Sequence, residues 1–156
     1  MDSSDDTRMD VTWDGLPVSR ESPYGCSVVV YRRAPDGLRL LMLHRAHLGR
    51  DFAGDWAWTP PGGARLPGEP VDDCAQRELL EETGLPLPPR PTAFGDNVWC
   101  VYVAEAAADT VVTPDAEHDR FAWLAPDEAL RRTLPERPRV LLRRAVEAIE
   151  ADQSPD

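Results

Sequence analysis

Residues 60–85 read PPGGARLPGEPVDDCAQRELLEETGL, a double glycine, a short loop, and then three glutamates that must share one helical face. Nothing else in the chain constrains the fold as much. Pro70 suits a first helical position, Asp72 and Asp73 complement the positive end of a helix, and Gly84 is a stop signal. The spacing therefore predicts a helix over residues 70–83. At roughly 100° per residue, Glu81 falls about 60° to one side of Glu78 and Glu82 about 40° to the other. Carboxylates so placed repel by roughly a few tenths of a kcal/mol each, and a solvated acidic face is the ordinary outcome. The flanking residues argue for more than that. Pro60-Pro61-Gly62-Gly63 lets the backbone bend close to another group. Its carbonyls can join the carboxylates as hard oxygen ligands for Mg²⁺, alongside water and substrate phosphates. Arg77 can hold a neighbouring carboxylate in place, and Glu69, in the loop before the helix, is its natural partner.

The surrounding pattern is that of an α/β domain. Residues 24–31 (YGCSVVVY) are β-branched and aromatic, a strand buried centrally in a sheet. Pro35-Asp36-Gly37 marks a turn, and residues 38–44 (LRLLMLH) form the returning strand. A polar loop over residues 45–55 carries Arg45, His47 and Arg50, and Trp56-Ala57-Trp58 reads as a short strand leading into the glycines. Residues 92–106 hold one or two strands, with Val98, Cys100, Tyr102 and Ala104 alternating against Trp99, Val101 and Val103. A loop over 108–119 precedes a strand at 121–124, a short helix opened by Pro126, and an amphipathic helix over 137–150. Residues 1–22 read as a flexible tail, 23–150 as the domain and 151–156 as a second tail. Val11 to Trp13 is a candidate edge strand within the first tail.

Charge narrows the function. A net charge of −11 argues against a nucleic-acid polymer as partner, because neutralising phosphates takes a basic footprint. An acidic protein that handles a polyphosphate has to recruit cations. The three cysteines, Cys26, Cys74 and Cys100, form no Cys-x-x-Cys pair and read as free thiols of a cytoplasmic protein. The acidic N-terminus lacks the apolar core of a signal peptide, and no apolar run approaches the ~20 residues of a membrane span.

The stretch from Gly63 to Leu85 resembles the Nudix box, G-x5-E-x7-R-E-U-x-E-E-x-G-U, where U is a bulky aliphatic residue. Gly63, Glu69, Arg77, Glu78, Leu79, Glu81, Glu82, Gly84 and Leu85 fill every defined position. At average residue frequencies of roughly 5–10%, chance agreement in one window is below about one in 10⁸. The lead-in Trp58-x-x-Pro61-Gly62-Gly63, Arg45 after a Leu-rich strand, and Glu117-x5-Trp123-Leu124 before Pro126-x-Glu128 extend the likeness over residues 24–150.

The resemblance implies a Nudix α/β/α sandwich with a mixed sheet. It also implies a hydrolase that cleaves a nucleoside diphosphate linked to a group X, by attack of water on phosphorus. Mg²⁺, or Mn²⁺ in its place, is the implied cofactor. Glu78, Glu81, Glu82 and the Gly62 carbonyl are then the metal ligands, and Gly63, Glu69, Arg77 and Gly84 support the helix–loop geometry. Relatives differ in their general base, which leaves Glu117 and Glu78 as candidates, with Glu117 favoured; His118 beside it reads as an exposed neighbour. A homodimer is common among relatives, although nothing in the sequence marks an interface.

The substrate is a small nucleotide-like molecule whose class stays open. Tyr102 stands near a tyrosine of the dinucleoside polyphosphate hydrolases, but a strand tyrosine is also ordinary sheet chemistry. Arg45 and Arg50 can grip phosphates. Trp58, with Trp56 and Trp99, can stack a base or fill a core. A missing proline speaks against ADP-ribose, and a missing arginine-bearing signature speaks against coenzyme A. Two other activities compete with hydrolysis. A nucleotide sensor would normally lose box glutamates, which are all present. An allylic-diphosphate isomerase would need a cysteine in the pocket.

Overall fold

The computed structural model describes residues 17–95 and 98–152. The proposed strand at Val11 to Trp13 lies outside these residues. A seven-stranded mixed sheet forms the middle layer: β1 (Gly25–Ala34), β2 (Gly37–Arg45), β3 (Trp58–Thr59), β4 (Gly62–Ala64), β5 (Arg90–Gly95), β6 (Trp99–Glu105) and β7 (His118–Leu124). The main path runs β3-β2-β1-β6-β5, with β4 added to β1 and β7 to β2. Only β1 and β6 pair in parallel among these contacts; the other pairs are antiparallel. Helix α1 (Val71–Thr83) covers one face, and α2 (Pro126–Arg132) and α3 (Glu136–Asp152) cover the other.

Strand parity decides which side chain meets which helix. Val28 and Val30 of β1, Leu41 and Leu43 of β2, and Tyr102 and Ala104 of β6 pack with Cys74, Ala75 and Leu79 of α1. Val29 and Tyr31, Leu40 and Met42, and Val101 and Val103 face the other way. They pack with Ala129 of α2 and with Leu142, Ala145, Val146 and Ile149 of α3. Both faces of the central strands are thus apolar, as expected for a sheet covered on both sides.

The elements follow the sequence expectations with small shifts. Pro70 is the N-cap rather than the first helical residue, and Gly84 closes α1 in the left-handed region at φ 75°, donating its N–H to the Leu80 carbonyl. The polar loop after β2 contains one 3₁₀ turn, Ala46–Leu48.

The expected strand over Trp56 to Trp58 moves to Trp58–Thr59, because Trp56 has φ 66° and cannot extend a ladder. The double glycine is itself the strand β4. Its register sets Cys26 opposite Gly63 and Ser27 opposite Gly62. A Cβ at Gly62 would lie 2.3 Å from the Cys26 carbonyl oxygen, so only glycine lets the two backbones approach this closely.

Candidate active site

Helix α1 turns Cys74, Glu78 and Glu82 inward on successive turns, beside β1 and β4. Glu78 is 7% exposed and Glu82 4%, whereas the Glu81 side chain is 54% exposed. The three carboxylates that the sequence puts in one arc therefore divide into two buried groups and one at the rim.

Each is held by backbone or by Arg77. Glu82 Oε1 accepts the Gly62 N–H at 3.0 Å. Arg77 forks Glu69 through Nε at 2.8 Å and Nη2 at 2.9 Å, and Nη2 also donates to the Ala64 carbonyl. Its Nη1 reaches Glu81 at 3.3 Å and Glu78 at 3.6 Å. Glu69 Oε1 accepts the Leu66 N–H, and its carboxyl stays below the usual range because Arg77 and that N–H outweigh its burial. Arg77 and Glu69 thus clamp the loop to the helix. Gly63 leaves the room Glu78 occupies, since a Cβ there would sit 2.1 Å from Glu78 Oε2.

The loop before β7 adds a fourth carboxylate. Val112 is buried, the Thr113 N–H donates to the Thr83 carbonyl, and the Glu117 carbonyl accepts the Ala46 N–H at 2.9 Å. These anchors carry the loop across the end of α1. Ligand atoms of Glu82, Glu117 and His118 fall within 4.8 Å of one another. His118, read from the sequence as an exposed neighbour, is 6% exposed, and its Nδ1 lies 2.9 Å from Asp115 Oδ1. The sequence offered no signal for Asp115. Burial comes from the strand start: His118 opens β7 and faces the β2 end at Arg45.

Electrostatics identify what the cluster lacks. Burial raises the Glu78 carboxyl to about 7; Arg77 pulls it partly back, and repulsion from Glu81 and Glu117 adds to the rise. Glu82 is pushed well above the ordinary value, first by burial and then by Glu78. Buried carboxylates at this density want a cation, and a set dominated by carboxylate oxygens, with the His118 ring beside it, suits a divalent ion. The residues present fit such an ion.

Glu78, Glu81, Glu82 and Glu117 line a cleft of about 900 Å³. Arg45, His47, Trp56 and Trp99 line it, with Val29 and Val101 of the sheet and Leu141 and Leu142 of α3. Arg45 is therefore placed at the cleft. Arg50 does not line it; the backbone carbonyl of Arg50 accepts from Arg120.

Trp58 is a core residue, 5% exposed, with Arg120 and Arg132 over its ring at 5.1 and 5.2 Å and His44 edge-on at 5.0 Å. Tyr102 is buried under α1 on the opposite face of the sheet, and its hydroxyl donates to Asp72 Oδ1 at 2.5 Å. Strand parity turns it away from the cleft, so it serves as a sheet tyrosine. No cysteine is among the lining residues described: the Cys26 Sγ meets Cys74 Sγ at 3.8 Å within the α1 core.

The sequence and this fold match known proteins. The NUDIX domain family profile matches residues 23–145, and the chain belongs to that family. It is a Nudix hydrolase by class, and such enzymes use a divalent metal. A Nudix hydrolase from M. smegmatis, RenU, is similar at 21% identity and a TM-score of 0.67, covering 94% of this chain and 96% of that one. A C. elegans Ap4A hydrolase is similar at 20% identity and a TM-score of 0.65, covering 81% of this chain and 97% of that one. A MutT protein from Methanosarcina mazei Go1 is similar at 29% identity and a TM-score of 0.54, covering 81% and 95%.

Proposed function

We propose that the chain is a divalent-metal-dependent pyrophosphohydrolase. Its substrate is a nucleoside diphosphate linked to a further group: a nucleoside triphosphate, a dinucleoside polyphosphate or a nucleotide sugar. The convergence of Glu78, Glu81, Glu82 and Glu117 on one cleft of about 900 Å³ carries this reading. Ligand sites of roughly 300–1,000 Å³ accommodate molecules of this size.

Glu78, Glu81, Glu82 and the Gly62 carbonyl are the groups that would hold Mg²⁺ or Mn²⁺. When bound, the ion supplies charge stabilisation at the scissile diphosphate. The protein's own side chains do the rest. Glu117, half-buried beside Glu82, accepts a proton from the attacking water as its oxygen bonds to phosphorus and the bridging P–O bond breaks. Glu78 is the alternative base, poised by its raised carboxyl. Arg45 meets the phosphates from the cleft wall, while Glu69 and Arg77 keep the α1 carboxylates in register. The free thiols suit a reducing compartment such as the cytoplasm.

A hydrolysis screen over the three substrate classes, with Mg²⁺ and with Mn²⁺, tests the assignment. Turnover of one class is expected. A folded protein that binds nucleotides but cleaves none with either ion would point instead to a nucleotide sensor.

A further inference from the structure

Trp56 is the one described residue other than glycine with a positive φ, at 66°. A bulky side chain in this left-handed region is strained, and such strain persists only where the surroundings fix it. Here they do. The Trp56 N–H donates to the Leu134 carbonyl at 2.8 Å, and the next residue, Ala57, is fully buried and bonded through its N–H to Gly54 and through its carbonyl to Arg45. The strain gains no core packing, because Trp56 remains 46% exposed. What the arrangement achieves is placement: Trp56 lines the same cleft as the glutamates, with the Arg45 guanidinium 6.0 Å from its ring centre. Buried next to it, Arg45 Nε has no hydrogen-bond partner among the described residues. Trp58, two residues on, shows the contrast, since it is buried and already covered by cations on its ring.

We propose that Trp56 is the platform on which the planar base of the substrate stacks, beside Arg45 as the anion contact, so that the substrate class is a nucleotide rather than a base-free polyphosphate. This rests on the proposed hydrolysis of a nucleotide and specifies how that site selects its substrate. An indole face holds any nucleobase without reading its edge. Trp56 positions substrate and takes no part in bond cleavage.

The test compares ligands that differ only by the base. The four nucleoside 5′-monophosphates and ribose 5-phosphate are titrated by calorimetry, with Mg²⁺, into the full chain and into Trp56→Gly and Trp56→Phe. Glycine adopts the left-handed conformation freely, so Trp56→Gly removes the ring and relieves the backbone; a parent-like far-ultraviolet spectrum and a cooperative melt verify the fold.

The nucleotides are expected to bind Trp56→Gly about 5- to 150-fold more weakly, the range of one base–aromatic stack. Ribose 5-phosphate should bind the parent and the variant alike, and Trp56→Phe should recover part of the loss. Equal weakening of nucleotides and ribose 5-phosphate, no weakening of either, or a parent that prefers no nucleotide over ribose 5-phosphate would overturn the proposal. These are binding readouts, so a failure of hydrolysis leaves them interpretable and is recognised separately.

Discussion

Glu78 and Glu82 sit where water is nearly excluded, and this governs how the site responds to protons. An ordinary glutamate releases its proton near 4.5, while folding raises Glu78 to about 7 and moves Glu82 in the same direction. Below 4.5 both the folded and the unfolded chain hold these protons. Between 4.5 and about 7 the unfolded chain has released the Glu78 proton and the folded chain has not, so raising pH through this window lowers stability, and Glu82 acts in the same direction. Above it the folded chain also carries the Glu78 charge, against the repulsion of Glu81 and Glu117. A divalent ion binds the charged form, so its stabilising effect grows over the same window. In metal-free protein, melting temperature is expected to fall between about pH 5 and about pH 8, and Mg²⁺ to raise it more at the higher pH. Circular-dichroism melts with and without Mg²⁺ check this; an Mg²⁺ increment independent of pH would contradict it. Arg77 sets a second expectation. Its guanidinium forks Glu69 while reaching Glu81 and the Ala64 carbonyl, a geometry that one ammonium cannot copy. Arg77→Lys should lose about 10- to 100-fold in Mn²⁺ affinity by titration calorimetry, as for other residues that orient metal ligands.

At the scale of elements, the site is a junction of α1, β4 and the loop before β7. The glutamate-bearing helix was legible because its signals are local: acidic first turn, three glutamates, glycine stop. Strand β4 was not, because a Pro-Pro-Gly-Gly segment carries no β-branched side chains and pairs only through its backbone with β1. The Trp56–Trp58 segment misled for a related reason. Two aromatics resemble a strand, while the left-handed φ of Trp56 depends on distant bonds such as that to Leu134. Tyr102 and His118 show the same gap. Alternation on β6 places Tyr102 on a face, but the sequence does not reveal which helix covers that face. The packing of β4 on α1 also yields a test. Gly63→Ala places a methyl on Glu78 Oε2, and the carboxylate has to move. A displacement of about 1 Å in a catalytic constellation costs on the order of 100-fold, so turnover should fall by about that factor while the far-ultraviolet spectrum stays that of the parent. Parent-like turnover would show that Glu78 need not stand where it does.

For the whole molecule, the layered architecture puts chemistry and core on the same elements. The sheet's two apolar faces hold α1 on one side and α2 with α3 on the other, and the cleft opens beside β1 and β6, between the glutamates and the start of α3. These layers were readable from strands interleaved with helices and from the apolar run of residues 24–31, which marks a centrally buried strand. The cleft walls were less so, since Leu141 and Leu142 of α3 meet Val29 and Val101 only in the folded chain. On the proposed function, a chain of net charge −11 that handles a polyphosphate needs cations to do so. The central claim is that the α1 carboxylates hold the ion that this work requires. Its most direct test is turnover of the screened substrate as a function of Mg²⁺ concentration, for the parent and for Glu82→Gln. The parent should show saturable activation by Mg²⁺, with activity lost on chelation and with Glu82→Gln at least about 100-fold slower at saturating ion, the scale of losing an electrostatic contact to the reacting centre. Parent-like turnover by Glu82→Gln, or turnover that persists without a divalent ion, would contradict the claim.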